Sequence, residues 1–155
     1  MLFPRGLSLF ITKRESPIIR SVDVLITADA FLDIRTLVLL GPKPPAWGLL
    51  IGHKRGRRVF VERVFPAGPG AALPAPVRLE ETDRTLGRRL VGLYAVRPSP
   101  AFKESVLGPY FYGRVFLDIR VAKNRSKLKP YVIEFDQSFF LAPVRLAARP
   151  KGGKS

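Results

Sequence analysis

The chain has no cysteine and a single histidine, His53, among its 155 residues. Without cysteine there are no disulfides, no thiol nucleophile and no cysteine-built zinc site. The absence suits a reducing compartment. Acidic residues are also scarce: 12 Asp and Glu stand against 27 Lys and Arg. The net charge is +15 and the pI about 11.1. Fifteen uncompensated charges repel one another, so such a chain concentrates polyanions around itself: nucleic acid, acidic lipid or an acidic protein face. Sequence-specific readout needs base contacts as well, and charge does not report on those.

Long apolar runs are missing too, so no stretch reaches bilayer length. Met1 to Ile11 is apolar, but Pro4 and Arg5 interrupt it. It lacks the basic-then-apolar order and the small-residue cleavage site of a secretion signal. The expectation is a soluble, cytoplasmic protein. What the chain does have is apolar content: 46% of its residues are hydrophobic, enough for a core and too many for a disordered segment. Its length fits one domain.

Residues 1–21 read as an extended arm. Val22 to Ile26 reads as a strand, and Thr27 or Asp29 caps a helix over Ala28 to Leu40, with Phe31, Ile34, Leu37 and Val38 at helical spacing. Gly41-Pro42-Lys43-Pro44-Pro45 stops it. Trp47 to Ile51 and Val59 to Phe65 form a hairpin around the polar loop His53 to Arg58, where Gly56 takes positive φ. After a Pro/Gly/Ala-rich loop over 66–76, Leu79 to Leu90 predicts a helix, with Glu80, Glu81 and Asp83 early and Arg88 and Arg89 late, as the helix dipole favours. Val91 to Val96 is a strand broken by Pro98-Ser99-Pro100, and Ala101 to Leu107 is a helical turn. Arg114 to Ala122, Tyr131 to Phe135 and Phe139 to Leu146 are strands, with Lys123 to Lys129 a basic turn between the first two. Residues 147–155 form a basic, disordered tail. The order predicts an α/β (α+β) domain over 22–146, one curved mixed sheet flanked by a few helices.

Two segments carry a resemblance. Trp47-Gly48-Leu49-Leu50-Ile51-Gly52-His53, followed by Arg58-Val59-Phe60-Val61-Glu62-Arg63-Val64-Phe65-Pro66, is similar to the first hairpin of the JAB/MPN (Mov34, JAMM) domain, with its "G-L-L-x-G" strand. Val91-Gly92-Leu93-Tyr94-Ala95-Val96-Arg97-Pro98-Ser99 resembles that family's "V-G-W-Y-H-S-H-P" strand. The match runs from about Val22 to Val144.

Active members of that family are zinc peptidases. Two histidines and an aspartate hold the metal, and a glutamate takes the proton of the metal-bound water. Carried over residue by residue, the glutamate position is Pro45, the histidine positions are Ala95 and Arg97, the serine position is Ser105 and the aspartate position is Gly108. Ala and Gly supply no ligand, and Arg97 places a permanent cation where the metal belongs. The resemblance therefore implies an inactive, MPN-minus-like pseudoenzyme with no zinc and no cofactor. Such domains scaffold larger protein or ribonucleoprotein assemblies beside other subunits, another MPN-type domain among them. A nucleic-acid-binding, ribosome-associated module is the alternative, and a residual metallopeptidase ranks below both.

The candidate contacts for a polyanion or acidic partner are Lys54, Arg55, Arg57, Arg58, Arg88, Arg89, Lys123, Arg125, Lys127 and Lys129. Tyr110, Phe111 and Tyr112 beside Arg114 read as base-stacking platforms or as core and interface aromatics, the second being favoured. His53 reads as an exposed turn residue, since no acid near it in sequence orients it. Ser105 reads as a leftover polar residue, because a serine nucleophile needs a base. Gly152-Gly153-Lys154-Ser155 fails as a phosphate loop, because Ala148 stands where its first glycine belongs.

Overall fold

A computed structural model describes residues 22–40, 46–67, 72–122 and 125–147. The expected arm, the tail beyond Ala147, Pro45 and Lys123 lie outside the described residues. The elements are β1 (Asp23–Ile26), α1 (Ala28–Leu40), β2 (Ala46–Arg55), β3 (Arg58–Pro66), α2 (Pro76–Thr85), β4 (Leu90–Val96), α3 (Pro100–Ser105), a 3-10 turn (Pro109–Phe111), β5 (Val115–Ala122), β6 (Arg125–Phe135), β7 (Phe139–Pro143) and β8 (Arg145–Leu146).

The strands form one mixed sheet in the order β7-β6-β5-β4-β2-β3-β1-β8. The β1–β3, β1–β8 and β4–β5 pairs are parallel; the other pairs are antiparallel. The two outermost strands are consecutive in sequence, with only Val144 between them. One residue spans about 3.5 Å, so the sheet curls until its margins nearly meet. Val144 donates its N–H to Pro130 O on β6 (3.2 Å), and Ala147 to Val24 O on β1 (2.9 Å). The expected α+β class with a curved mixed sheet is what the chain adopts.

Alternation along each strand divides the apolar residues between two cores. The first draws Val24 from β1, Val61 from β3, Tyr94 and Val96 from β4, Leu117 from β5 and Val132 from β6, with Ala30 and Ile34 of α1 packed among them. Strands β1 to β6 feed this cluster and Leu146 of β8 packs against it, while β7 sends Phe139 and Leu141 to the second. The second core holds Trp47, Leu93, Ala95, Phe116 and Ile133 under Leu79 of α2, Val106 beyond α3 and Phe111 of the 3-10 turn.

Four expectations shift. The single strand expected over Phe139 to Leu146 is two, β7 and β8, at opposite margins of the sheet. Helix α2 runs Pro76–Thr85 rather than Leu79 to Leu90. Pro76 starts it, and a Schellman closure ends it: Gly87 N–H donates to Arg84 O (3.1 Å) and Arg88 N–H to Asp83 O (2.8 Å). Gly87 and Arg88 both have positive φ, at 70° and 65°. Arg88 and Arg89 consequently lie beyond the helix, and the acids Glu80, Glu81 and Asp83 lie past its first turn. The expected basic turn over Lys123 to Lys129 is mostly strand: β6 starts at Arg125, with Arg125, Lys127 and Lys129 exposed and Ser126 and Leu128 facing inward. The hairpin's polar loop shrinks to Gly56 and Arg57, with Gly56 at φ 61° as expected.

Candidate polyanion-binding site

Of the positions carried over from the family resemblance, Ala95 and Arg97 lie at the carboxyl end of β4. Ala95 is buried in the second core. Arg97 leaves the strand at φ 49°, donating its N–H to Ile119 O (2.8 Å). Both line a pocket of about 270 Å³ with Ala46, Pro98, Ser99 and Phe102. Ser99 caps α3, accepting from Phe102 N–H at 3.1 Å. Ser105 spends its hydroxyl on Phe102 O (2.6 Å) within its own helix. Gly108 precedes the 3-10 turn in extended backbone. Ala95 and Arg97 thus share a pocket that neither Ser105 nor Gly108 lines. No group of three or more His, Cys, Asp or Glu that could hold a metal occurs among the described residues.

Next to Ala95, β5 places Asp118. It is buried, with Arg120 Nε and Nη2 donating at 3.0 and 3.2 Å and Lys103 Nζ at 3.5 Å. The Asp118 carboxylate accepts from Arg120 and raises that guanidinium's pKa. Sequence reasoning missed this group. Its signal was one acid at an inward position of the apolar run Val115 to Ile119.

A larger pocket, about 530 Å³, opens at the other end of β4. Three segments build it. The β2–β4 ladder shifts between Leu50 and Ile51 and ends at the Ile51–Leu90 pair, the β2–β3 ladder bulges between Ile51 and Gly52, and Gly52 N–H donates to Arg89 O (2.9 Å). Only glycine fits there, because a Cβ would stand 1.7 Å from Phe60 O. The reversed turn after α2 supplies Arg88 and Arg89, and the turn before β5 supplies Tyr112, Gly113 and Arg114.

Two carboxylates hold the cations in place. Asp83, buried on α2, accepts from Leu90 N–H (3.0 Å) and from Arg114 Nη2 (3.1 Å), with Arg88 Nη1 at 3.5 Å. Glu62 accepts from Arg89 Nη2 and lies 3.4 Å from His53 Nδ1. Burial alone would raise the Glu62 carboxyl; the hydrogen bonds and charges of His53 and Arg89 outweigh it and hold it below the usual carboxylate range. Arg88 also meets Glu80 at 2.5 Å, which raises the guanidinium's pKa. Each guanidinium carries five N–H donors and spends only some on these pairs. Lys54 has no carboxylate partner among the described residues. The lining therefore presents four cations, the held Arg88, Arg89 and Arg114 together with Lys54, against Glu62 and Asp83.

The other sequence candidates divide between the two ends. Ile51 pairs with Leu90 and Val96 with Ile119, so the β2–β3 tip and the β5–β6 tip lie at opposite ends of β4. Arg55, Arg57 and Arg58 form the tip beside the large pocket; Arg125, Lys127 and Lys129 line β6 at the far end. His53 is no loop residue. It sits within β2, stacked on Phe60 at 4.8 Å, and Glu62, brought across the hairpin, is the acid missing from its sequence surroundings. Of the aromatics, Phe111 is core and Tyr110 lies under Arg114 Cζ at 4.4 Å. Tyr112 is 55% exposed at the pocket.

Fold and site together define an α+β domain with a nearly closed eight-stranded sheet and a cationic pocket at one end of its central strand. No family model and no curated protein matches the chain. Among solved structures, it is similar to protein DSY2949 from Desulfitobacterium hafniense, at 19% identity and a TM-score of 0.57, covering 84% of this chain and 97% of that one. It is also similar to a protein from Salinibacter ruber, at 16% identity and a TM-score of 0.50, covering 79% and 90%. These likenesses establish the fold and bring no activity with them. Among the described residues no helix is long and apolar enough to cross a membrane.

Proposed function

We propose that the chain is a non-catalytic, JAB/MPN-like domain that serves as a scaffold subunit of a cytoplasmic ribonucleoprotein assembly and holds nucleic acid against the β2–β3 hairpin. The observation that carries this is the convergence of Lys54, Arg88, Arg89 and Arg114 on one pocket beside the Arg55–Arg58 tip. They come from three stretches of chain, β2, the turn after α2 and the turn before β5, which the fold brings to one pocket. The arginines are tied down by Glu62 and Asp83, so little side-chain freedom is lost on binding an anion. The non-catalytic part rests on residue identity: Ala95 and Gly108 have no ligand atom, and Arg97 carries a fixed positive charge. Support for the JAB/MPN likeness comes from Ala46, the neighbour of Pro45, which shares a pocket with Ala95 and Arg97.

Titrating labelled RNA with the protein at several salt concentrations tests the proposal. The expected affinity falls steeply with salt, the slope counting the phosphates contacted. Absence of binding at low salt, or stoichiometric zinc in the purified protein, overturns it.

A protein-facing role is favoured by α1. Leu32 and Leu39, two turns apart on one face, are 58% and 79% exposed. Partner subunits, another MPN-type domain among them, fit that face. Recovery of the protein from native lysate only as a monomer counts against it.

A further inference from the structure

The large pocket is roomier than a phosphate requires, and one of its walls is aromatic. Its volume of about 530 Å³ lies in the range of small-molecule sites. Tyr112 is presented from a held turn. Gly113, at φ 82°, donates its N–H to Ile133 O (2.8 Å), and Arg114 is clamped to Asp83 on one side and to Tyr110 O (3.2 Å) on the other. An exposed ring on a fixed turn is a stacking surface with little entropy left to lose. Cations lie across from it on the Arg88–Arg89 turn and at Lys54, and the charge continues outward along Arg55, Arg57 and Arg58. A phosphate chain therefore has a path along the hairpin, and the pocket branches from that path.

We propose that this pocket seats one unpaired nucleotide of a single-stranded nucleic acid, its base against Tyr112 and its phosphate among Lys54, Arg88 and Arg89. The proposal rests on the polyanion reading above and adds strand selectivity to it. A paired base cannot leave its stack to enter the pocket without the cost of unpairing. A duplex is left with the hairpin charges alone.

The test is fluorescence anisotropy with a labelled single-stranded oligonucleotide and a hairpin duplex of the same composition, on wild type, Tyr112→Ala and Tyr112→Phe. The exposure of Tyr112 makes both variants safe for folding, and a thermal melt checks this. Wild type is expected to favour the single strand. Tyr112→Ala is expected to bind it about tenfold more weakly, with an unchanged salt slope and unchanged duplex affinity. Tyr112→Phe keeps the ring face and the affinity. An Ala variant that binds the single strand like wild type, or a wild type with no strand preference, overturns the nucleotide seat and leaves the polyanion reading standing. A wild type that binds neither probe overturns both. Tight binding of a free nucleoside monophosphate without strand binding overturns the strand and makes the pocket a small-molecule site.

Discussion

Arg145 grips Asp23 with both arms of its guanidinium, Nε at 3.0 Å and Nη2 at 2.9 Å, across 122 residues of chain. The pair fastens β8 to β1 where the sheet comes round on itself. The hydrogen bond from Arg145 leads in holding the Asp23 carboxyl below its ordinary value of 3.8; burial opposes it, and the charges of Arg145 and Arg58 assist. A depressed folded pKa means that the pair contributes its full stability above that ordinary value and loses it as pH falls through the folded one. Melting temperature is expected to drop as pH falls below about 4. Asp23→Asn lowers it at neutral pH and flattens part of the acid limb. Part of the limb persists, because Glu62 is depressed as well. Acid limbs that run parallel in wild type and variant would sink the assignment.

Asp83 anchors the large pocket from below. Its two oxygens serve the start of β4 and Arg114, and its side chain is almost wholly buried. Removing it leaves the Leu90 N–H and a largely buried guanidinium without their acceptor. Asp83→Ala is expected to cost about 2–4 kcal/mol, seen as a fall of roughly 5–10 °C in melting temperature. Glu81→Ala, on the exposed side of the same helix, is expected to stay within about 0.5 kcal/mol. Similar melts for the two variants contradict the anchoring role.

Local chemistry made much of this fold legible. Thr27 accepts from Ala30 N–H (3.2 Å) and starts α1 where its capping preference says, and the helix covers Ala28–Leu40 as the apolar spacing predicts. Helix α2 was less legible because dipole logic pulled it toward Arg88 and Arg89. The Schellman closure at Gly87 ends it first, and those two arginines are freed for the pocket. The reach of β6 was hidden because Arg125, Lys127 and Lys129 look like a charge run. Their alternation with Ser126 and Leu128 is a strand pattern with one wet face. The basic candidates were visible as types, but their partition between the two ends of β4 was not, since it depends on register. Asp83 and Glu62 act through Arg114 and Arg89, 31 and 27 residues away, and no local pattern carries that information.

The bulge at Gly52 is a steric requirement, and it predicts a contrast between glycines. A Cβ at Gly52 would meet the backbone oxygen of Phe60 at 1.7 Å, and backbone cannot rotate away as a flexible side chain does. Gly52→Ala is expected to destabilise by at least about 2–3 kcal/mol and to weaken polyanion binding by moving Arg89. Gly108→Ala meets nothing within 4 Å, and its extended backbone suits any residue. Its melting temperature is expected to match wild type or rise slightly. Denaturant unfolding of both variants checks this, and a tolerated Gly52→Ala would place the bulge elsewhere.

The two ends of β4 carry comparable charge but different surroundings, which separates a site from mere basicity. Lys54, Arg55 and Arg57 lie at the pocket end, while Arg125, Lys127 and Lys129 line β6 at the other, away from the Arg88–Arg89 turn. Changing either trio to glutamine removes three positive charges, so long-range attraction falls equally in the two variants. Contact with phosphates does not. The hairpin variant is expected to lose at least about tenfold in affinity for single-stranded RNA at moderate salt, and its log–log salt slope is expected to shrink by about 2, at about 0.7 per phosphate released. The β6 variant keeps most of its affinity and its slope. Anisotropy titrations over a salt series measure both quantities. Equal losses in the two variants would mean that the chain binds through net charge alone and that the pocket contributes nothing.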